Sequence, residues 1–153
     1  MLMNIRRDDL THPAVHALLA EHLRNMYEIT PAKSVHALNL DGLRRPEITF
    51  WSAWSGGELM GCGALKEIDA GHGEIKSMRT AEAHRGRGVA RAMVAHIVDE
   101  SRRRGYRRLS LETGAFAAFE PAQRLYASLG FQRCGPFADY GDDPNSVFMT
   151  LAL

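Results

Sequence analysis

Hydrophobic residues recur at three- and four-residue intervals in two long segments, and this period predicts two amphipathic helices. The first helix covers residues 12–28, with Thr11 placed to cap it and Pro13 in its first turn. The second runs from residue 87 to 104, and Gly105 follows where a helix C-cap is expected. The inward faces of the two helices are formed by Val15, Leu18, Leu19, His22, Leu23 and Met26, and by Val89, Met93, Val94, Ile97 and Val98.

Two shorter helices are predicted from the residues at their ends. One follows Pro31, which interrupts the first long helix, and Ser34 is placed to cap it. The other opens at Pro121, since proline is favoured in the first turn of a helix, and it ends at Gly130.

Segments rich in β-branched and aromatic residues, bounded by glycine-containing turns, predict the strands. Short connections join the second, third and fourth of them, so these three strands should be antiparallel. A helix separates residues 74–80 from residues 107–113, which predicts a right-handed crossover between two parallel neighbours. The predicted strands cover residues 2–7, 47–54, 59–68, 74–80, 107–113, 131–133 and 147–153.

The order of the predicted elements, β-α-α-β-β-β-α-β-α-β-β, describes an α/β (α+β) protein with a mixed sheet and helices on its faces. The 153 residues contain no internal repeat and no linker-like segment, so we expect a single domain over residues 1–153. A hydrophobic fraction of 45% and a charged fraction of 24% are typical of such a globular domain.

Charge and hydropathy argue against several classes of partner. The net charge of +1 disfavours bulk attraction to nucleic acid, and no apolar stretch approaches the roughly 20 residues of a membrane-spanning helix. The first residues lack the apolar run of a secretion signal, and Cys62 and Cys134 do not form a disulfide framework or a zinc motif. His12 and His16 have the spacing of metal ligands, but no third ligand accompanies them. We therefore expect a cytoplasmic protein without a metal site.

The turn that precedes the second long helix is the strongest chemical signal in the chain. Gly86 and Gly88 allow the backbone to curl there, and the first amides of the helix have no partner within it. Such amides carry partial positive charge and bind phosphate groups. Arg85, Arg87 and Arg91 add full charges, so the sequence predicts a site for an anion such as a pyrophosphate.

Three motifs follow one another in the second half of the chain. A strand at residues 74–80 leads to the turn Arg85-Gly86-Arg87-Gly88-Val89-Ala90, and residues 122–131 then read Ala-Gln-Arg-Leu-Tyr-Ala-Ser-Leu-Gly-Phe. In order and spacing these motifs resemble the GNAT family of N-acetyltransferases, over nearly the whole chain. The resemblance implies a mostly antiparallel sheet of six to seven strands, with helices on both faces and a central pair of parallel strands that splay apart.

The resemblance also implies an acetyl-CoA site. The pyrophosphate would bind the backbone amides of residues 87–91, and the pantetheine arm would pair like an extra strand with residues 78–80. Phe119 stands where the family often has an asparagine that touches the pantetheine, so that contact is missing or supplied by another residue. The implied cofactor-binding residues are Met78, Arg79, Thr80, Arg85, Gly86, Arg87, Gly88, Val89, Ala90 and Arg91.

Acetyl transfer to an amine needs a base for the ammonium, a donor for the thioester oxygen and an acid for the departing thiolate. Tyr126 occupies the position of the acid that the family commonly uses, although it could also be a packed aromatic. Glu74 stands at the spacing from the turn at which the histone-acetylating branch has its glutamate base. On a regular strand it shares a face with Lys76 and Met78, and an ion pair with Lys76 is the structural alternative. Glu112 is the second candidate base or a ligand for the ammonium, and in many members a water chain replaces the base.

The acceptor is the least determined part of the hypothesis. His22, Met26 and Tyr27 are candidate substrate-binding residues, since the first helices of the family form one wall of the acceptor pocket. We expect direct transfer to a primary amine of a small molecule in a ternary complex, because no nucleophile is positioned for a covalent intermediate. A protein or peptide acceptor and a non-catalytic acyl-CoA-binding module are the alternatives. A homodimer through an exposed strand at residues 147–153 is a further expectation.

Overall fold

The computed structural model describes residues 2–153, and a single sheet of seven strands organises them. The strands are β1 (Asn4–Arg7), β2 (Ile48–Ser55), β3 (Glu58–Asp69), β4 (His72–Thr80), β5 (Arg108–Gly114), β6 (Gln132–Cys134) and β7 (Ser146–Ala152). Their spatial order is β1-β2-β3-β4-β5-β7-β6, and only β4 and β5 pair in parallel. The predicted mixed, mostly antiparallel sheet with one central parallel pair is therefore confirmed.

In the described part of the chain, four α-helices cover the sheet, and they are α1 (Pro13–Ile29), α2 (Leu40–Leu43), α3 (Val89–Arg103) and α4 (Glu120–Ser128). His12 caps α1 by accepting a hydrogen bond from the amide of Ala14 at 3.0 Å. The predicted cap, Thr11, does not cap the helix; its hydroxyl donates a hydrogen bond to the carboxylate of Asp9 at 2.6 Å. Among the residues described, no helix is long and apolar enough to cross a membrane.

The segment after α1 differs from its prediction. Residues 32–34 form one 3-10 turn, and Ser34 lies at its end instead of capping a helix. The helix α2 begins only after Asn39, whose side chain accepts a hydrogen bond from the amide of Gly42 at 2.9 Å. An asparagine at the N-cap position was the more reliable start signal in this stretch.

Two hydrophobic clusters lie on opposite faces of the sheet, because alternate residues of a strand point in opposite directions. One cluster joins α3 and α4 to the strands and includes Met93, Ile97, Leu109 and Leu111. The other packs α1 and α2 against β2 and β3. Both faces of the sheet are thus covered. Functional groups on the strands can meet a ligand where the pairing of the strands is interrupted.

The main interruption lies between β4 and β5. Their parallel pairing runs from His72 and Arg108 to Ile75 and Leu111, and beyond that point the two strands have no paired residues. On the side towards β3, two residues of β4 lie opposite Gly63, and one of them, Ser77, has a positive φ of 54°. This bulge and the end of pairing open a gap in the middle of the sheet.

The expectation of an exposed strand at residues 147–153 is wrong. β7 lies between β5 and β6, with Gln132 facing Thr150 and Cys134 facing Phe148 across the β6–β7 pair. The edges of the sheet are β1 and β6. The sequence predicts a strand at residues 131–133 but not its partner, because the loop between this strand and β7 is too long and irregular to determine which strands pair.

Candidate functional site

A cleft of about 850 Å³ follows the gap between β4 and β5. Its lining combines residues from both faces of the sheet, since Tyr126 belongs to the cluster around α3 and Met26 lies on α1. One end is formed by the turn before α3, the middle by β4 and β5, and the other end by the segment after α1 and a loop between β6 and β7. The cleft therefore connects the predicted anion site with the predicted catalytic residues.

The turn before α3 presents uncapped backbone amides. Gly86 and Gly88 have φ values of 76° and 82°, in the left-handed region where glycine is strongly favoured. Gly88 is the N-cap of α3 and no side chain caps the helix, so the amides of its first turn have no acceptor among the described residues. An anion that enters this end of the cleft would meet these amides.

The three arginines of the turn have different surroundings. Arg85 and Arg91 line the cleft, and the Nη2 of Arg91 also donates to the Oγ of Ser128 at 2.8 Å. Arg87 is not part of the lining, because its Nη1 lies 3.3 Å from the Nδ1 of the buried residue His84. Arg85 and Arg91 are thus the guanidinium groups available to a ligand, whereas Arg87 braces the turn.

Beyond Ile75, the edge of β4 that faces β5 has no strand partner among residues 2–153. Met78, Arg79 and Thr80 line the cleft along this free edge. The bulge at Ser77 changes the direction of the residues that follow, so Met78 packs into the cluster around α3. Glu74 and Met78 therefore lie on opposite faces, contrary to the expectation for a regular strand.

Arg79 points to the other face, towards α1. Its Nη1 donates to Asn25 at 2.9 Å and its Nη2 to Glu21 at 3.2 Å. His22 lies beside it in the same wall and lines the cleft. Burial, aided by the charge of Arg79, lowers the pKa of His22 to about 4, so the imidazole is neutral at pH 7.

Tyr126 is buried and packs edge-on against Phe131, with ring centroids 5.8 Å apart. Its ring lines the cleft and its hydroxyl has no hydrogen-bond partner among the described residues. Burial raises the pKa of this phenol, so it carries its proton at neutral pH and is available as a donor. Phe119 also lines the cleft, and it lies so close to Gly114 that a Cβ on that glycine would overlap the ring.

Glu74 is buried in the middle of the cleft, and it has two hydrogen-bond donors. Its Oε2 accepts from the Nζ of Lys76 at 3.2 Å and from the hydroxyl of Tyr140. The Nζ of Lys76 also donates to that hydroxyl at 3.0 Å. Glu74 thus lies close to the gap, and the ion pair with Lys76 that the sequence suggested is present. Its role as a base stays a prediction.

Glu112 lines the cleft from β5, the strand opposite Glu74. Burial raises the pKa of its carboxyl group, while the nearby charges of His36 and Lys76 oppose that rise. A second carboxyl group therefore lies within electrostatic range of Glu74, since Glu74 also contributes to raising the pKa of Glu112.

Two segments touch at the far end of the cleft. The Nδ2 of Asn145 donates to the Oγ of Ser34 at 3.2 Å, and the rings of His36 and Tyr140 pack edge-on at 5.0 Å. Met26 and His22 line the cleft from α1, and their role as acceptor-binding residues stays a prediction. Tyr27 does not line it, because its side chain points away from the cleft lining and is 56% exposed.

Sequence reasoning missed three members of the site, Lys76, Tyr140 and His36. The alternation of Glu74 and Lys76 on one strand did indicate that their side chains meet, but only as a surface pair. Tyr140 and His36 lie in irregular segments without periodicity, and an isolated aromatic residue in a polar loop was the one available signal. The neutral thiol of Cys62 lies outside the cleft lining, and burial raises its pKa to about 12.

Comparison with known proteins gives a consistent picture. The model of the acetyltransferase (GNAT) family matches residues 12–131. The uncharacterised N-acetyltransferase YsnE of Bacillus subtilis (strain 168) is 62% identical over 99% of this chain and 100% of its own length. The uncharacterised N-acetyltransferase YedL of Escherichia coli (strain K12) is 50% identical over 99% of this chain and 96% of its own length. The IAA acetyltransferase of Azospirillum brasilense is 38% identical over 99% of this chain and 98% of its own length.

Solved structures share the same architecture. A protein of Klebsiella pneumoniae subsp. pneumoniae MGH 78578 assigned as an acyl-CoA N-acyltransferase has a TM-score of 0.80 and 29% identity, over 99% of this chain and 98% of its own. A GNAT family acetyltransferase of Elizabethkingia anophelis, solved with acetyl-CoA bound, has a TM-score of 0.69 and 18% identity over 99% and 98% of the two chains. At that identity the second likeness concerns the fold alone.

Proposed function

This chain belongs to the acetyltransferase (GNAT) family, and we propose that it transfers an acetyl group from acetyl-CoA to a primary amine of a small molecule, by direct attack in a ternary complex. The observation that carries the proposal is the continuity of the cleft. Uncapped amides of α3 lie at one end, and the cluster of Glu74, Lys76 and Tyr140 lies towards the other.

The chain offers a fitting site for each part of the cofactor. The amides of residues 87–91 suit the pyrophosphate, with Arg85 and Arg91 as the nearest charges. The free edge of β4 at residues 78–80 suits the pantetheine arm, which can hydrogen bond there as an added strand would. The bound cofactor would supply the activated acetyl thioester, and the cleft follows the gap between β4 and β5 where the thioester would lie.

Tyr126 is the proposed acid. A protonated phenol in the cleft can give its proton to the departing thiolate, because the burial that raises the pKa of the phenol would also raise the pKa of a thiol formed beside it. Its unpaired hydroxyl and its position in the cleft lining support this role over that of a packed aromatic residue. The backbone amide of Met78, at the bulge, is the proposed donor to the thioester oxygen.

Glu74 is the proposed base, with Glu112 as a second carboxylate for the acceptor ammonium. Both line the cleft, and Glu74 already contacts an ammonium at hydrogen-bond distance in Lys76. A direct attack is favoured over a covalent intermediate because neither Cys62 nor Cys134 lines the cleft. The thiol pKa of both cysteines is also raised by burial.

The contacts between the two segments at the far end of the cleft support a small acceptor over a protein. The contacts between Ser34 and Asn145, and between His36 and Tyr140, would block the path of a long peptide through this end. A protein or peptide acceptor would need both contacts to open. No observation favours a non-catalytic acyl-CoA-binding module, since the proposed acid and base are both present.

The test is a screen of acceptors with release of the CoA thiol as readout. Amines, polyamines, aminoglycosides, amino acids and short peptides should be compared, together with IAA because one relative is named for it. We expect turnover with at least one small amine and none with peptides. CoA binding measured by calorimetry without any turnover would instead support the binding-module alternative.

A further inference from the structure

An amine of the chain itself already lies beside the proposed base. The Nζ of Lys76 is 3.2 Å from the Oε2 of Glu74, and the two side chains are only 9% and 3% exposed. This is the distance at which a general base takes a proton from an amine. Lys76 therefore meets one geometric requirement of an acceptor amine, which is direct contact with the proposed base.

Lys76 also lies where the gap in the sheet begins. Ile75 and Leu111 form the last pair between β4 and β5, so Lys76 is the first residue of β4 at the opening. Its side chain lines the cleft together with Tyr126 and Glu112. A lysine ammonium on a flexible four-carbon stem can move across such a gap without any change in the backbone.

We propose that Lys76 is an acetyl acceptor, so that the protein acetylates this lysine of its own cleft when acetyl-CoA is bound and no acceptor amine is present. The inference rests on the proposed function, because it needs the acetyl thioester to lie in the gap between β4 and β5. It adds a modification site to the enzyme and names the lysine side chain as an amine that the site can use.

The transfer balances with the groups at hand. Glu74 takes one proton from the Lys76 ammonium, and the nitrogen forms a bond to the thioester carbon. The bond between that carbon and sulfur breaks, sulfur keeps the electron pair, and Tyr126 gives it a proton. The nitrogen loses its second proton to restore Tyr126, and the proton on Glu74 passes to solvent. The products are Nε-acetyl-Lys76 and CoA.

Acetylation would change the site, because it removes the positive charge of Lys76. Glu74 would keep the hydrogen bond from Tyr140 but lose its ion pair inside a buried cleft. The self-modified form should therefore differ from the unmodified one in how it binds an acceptor. An acceptor amine and Lys76 compete for one acetyl group, so a good acceptor should protect Lys76.

The chain supplies its own controls for this reaction. It has three lysines, Lys33, Lys66 and Lys76. Lys33 is exposed and Lys66 is half-buried, whereas the side chain of Lys76 is nearly buried. Chemical acetylation without catalysis follows exposure and would modify Lys33 first. Faster modification of the least exposed lysine is thus a signature of the site.

The experiment incubates the full chain with acetyl-CoA alone and measures acetylation at each lysine by peptide mass spectrometry. We expect Lys76 to be modified at least about 10-fold faster than Lys33 or Lys66, a threshold below the roughly 10²- to 10⁴-fold that general-base catalysis typically contributes. Glu74→Gln should slow labelling of Lys76 without changing the other two, and Lys66→Arg should leave Lys76 labelling unchanged. Equal labelling of the three lysines, or faster labelling of Lys33, would overturn the inference.

A parallel reaction with an acceptor separates the two proposals. CoA release with an acceptor amine, together with no label on Lys76 when acetyl-CoA is given alone, would refute the inference and leave the proposed function intact. Absence of CoA binding by calorimetry would overturn the proposed function and the inference together. Labelling of Lys76 that falls as the acceptor concentration rises is the result that supports both.

Discussion

The hydroxyl of Tyr140 donates a hydrogen bond to the carboxylate of Glu74, although 66 residues separate them along the chain. Tyr140 is held by the aromatic rings of Phe137 and Phe148, with centroids 5.1 and 5.4 Å away. The ring is therefore positioned independently of the hydrogen bond that it makes. A loop residue thus completes the surroundings of a strand residue that is the proposed base.

The first prediction concerns this contact. Tyr140→Phe keeps the ring and removes the donor, so the variant should fold and bind CoA as the parent does. We expect kcat/KM for the acceptor to fall about 10-fold or more, since a hydrogen bond to a charged group contributes about 1.5–3 kcal/mol. Tyr27→Phe, on the exposed side of α1, is the matched control. An unchanged kcat/KM in Tyr140→Phe would contradict a role for this contact.

The contact between Tyr140 and Glu74 also marks the limit of what the sequence could predict. Strands and long helices were predictable because periodic burial repeats over many residues, and short turns determine which strands pair. Glu74 and Tyr126 were found through their spacing from recognisable motifs. Tyr140 lies in an irregular loop, whose path depends on packing against residues far away in the chain.

Two errors in the prediction have local causes. The bulge at Ser77 reverses the face of the residues after it, and a positive φ at a serine leaves no trace in the pattern of apolar residues. The loop between β6 and β7 is long and irregular, so the pairing that makes β7 an interior strand could not be predicted. In neither place does the pattern of apolar residues carry information on the feature that decides the geometry.

The second prediction tests the proposed acid. Tyr126→Phe removes the unpaired hydroxyl and keeps the contact with Phe131, so folding and CoA affinity should be preserved. The turnover number should fall about 10²-fold or more, the usual contribution of general acid catalysis. Steady-state kinetics and calorimetry with CoA measure the two effects separately. Equal losses of turnover and of CoA affinity would indicate a structural role instead.

The third prediction tests the anion site. Gly88→Glu introduces a negative side chain at the amino end of α3. It also places a non-glycine residue at a φ of 82°, where a side chain is strained. We expect CoA binding to be lost in calorimetry. Gly105→Glu is the matched control, because Gly105 has the same φ of 82° at the other end of α3, with open space around it. That variant should share the strain and keep CoA affinity; equal loss in both would remove the phosphate-site claim.

The fourth prediction concerns the packing of the cleft wall. A Cβ at Gly114 would overlap the ring of Phe119, so Gly114→Ala should lower the free energy of unfolding by about 1–3 kcal/mol. Thermal unfolding measures this loss, and the double variant with Phe119→Leu should recover part of it by shortening the obstructing side chain. Gly141→Ala, at a glycine with no neighbour in contact, should have little effect. A Gly114→Ala variant as stable as the parent would show that the ring moves aside freely.

The fifth prediction follows from the buried imidazole of His22. Because burial lowers its pKa from 6.5 to about 4, the unfolded chain binds a proton between these pH values that the folded chain does not. The stability that this group contributes is fully present above pH 6.5 and is lost as the pH falls towards 4. At about 1.4 kcal/mol per pKa unit, the loss is about 3 kcal/mol in total. Urea unfolding at several pH values should show this loss in the parent and not in His22→Asn. If the difference in the free energy of unfolding between the parent and His22→Asn stays constant with pH, His22 titrates alike in the folded and unfolded chains.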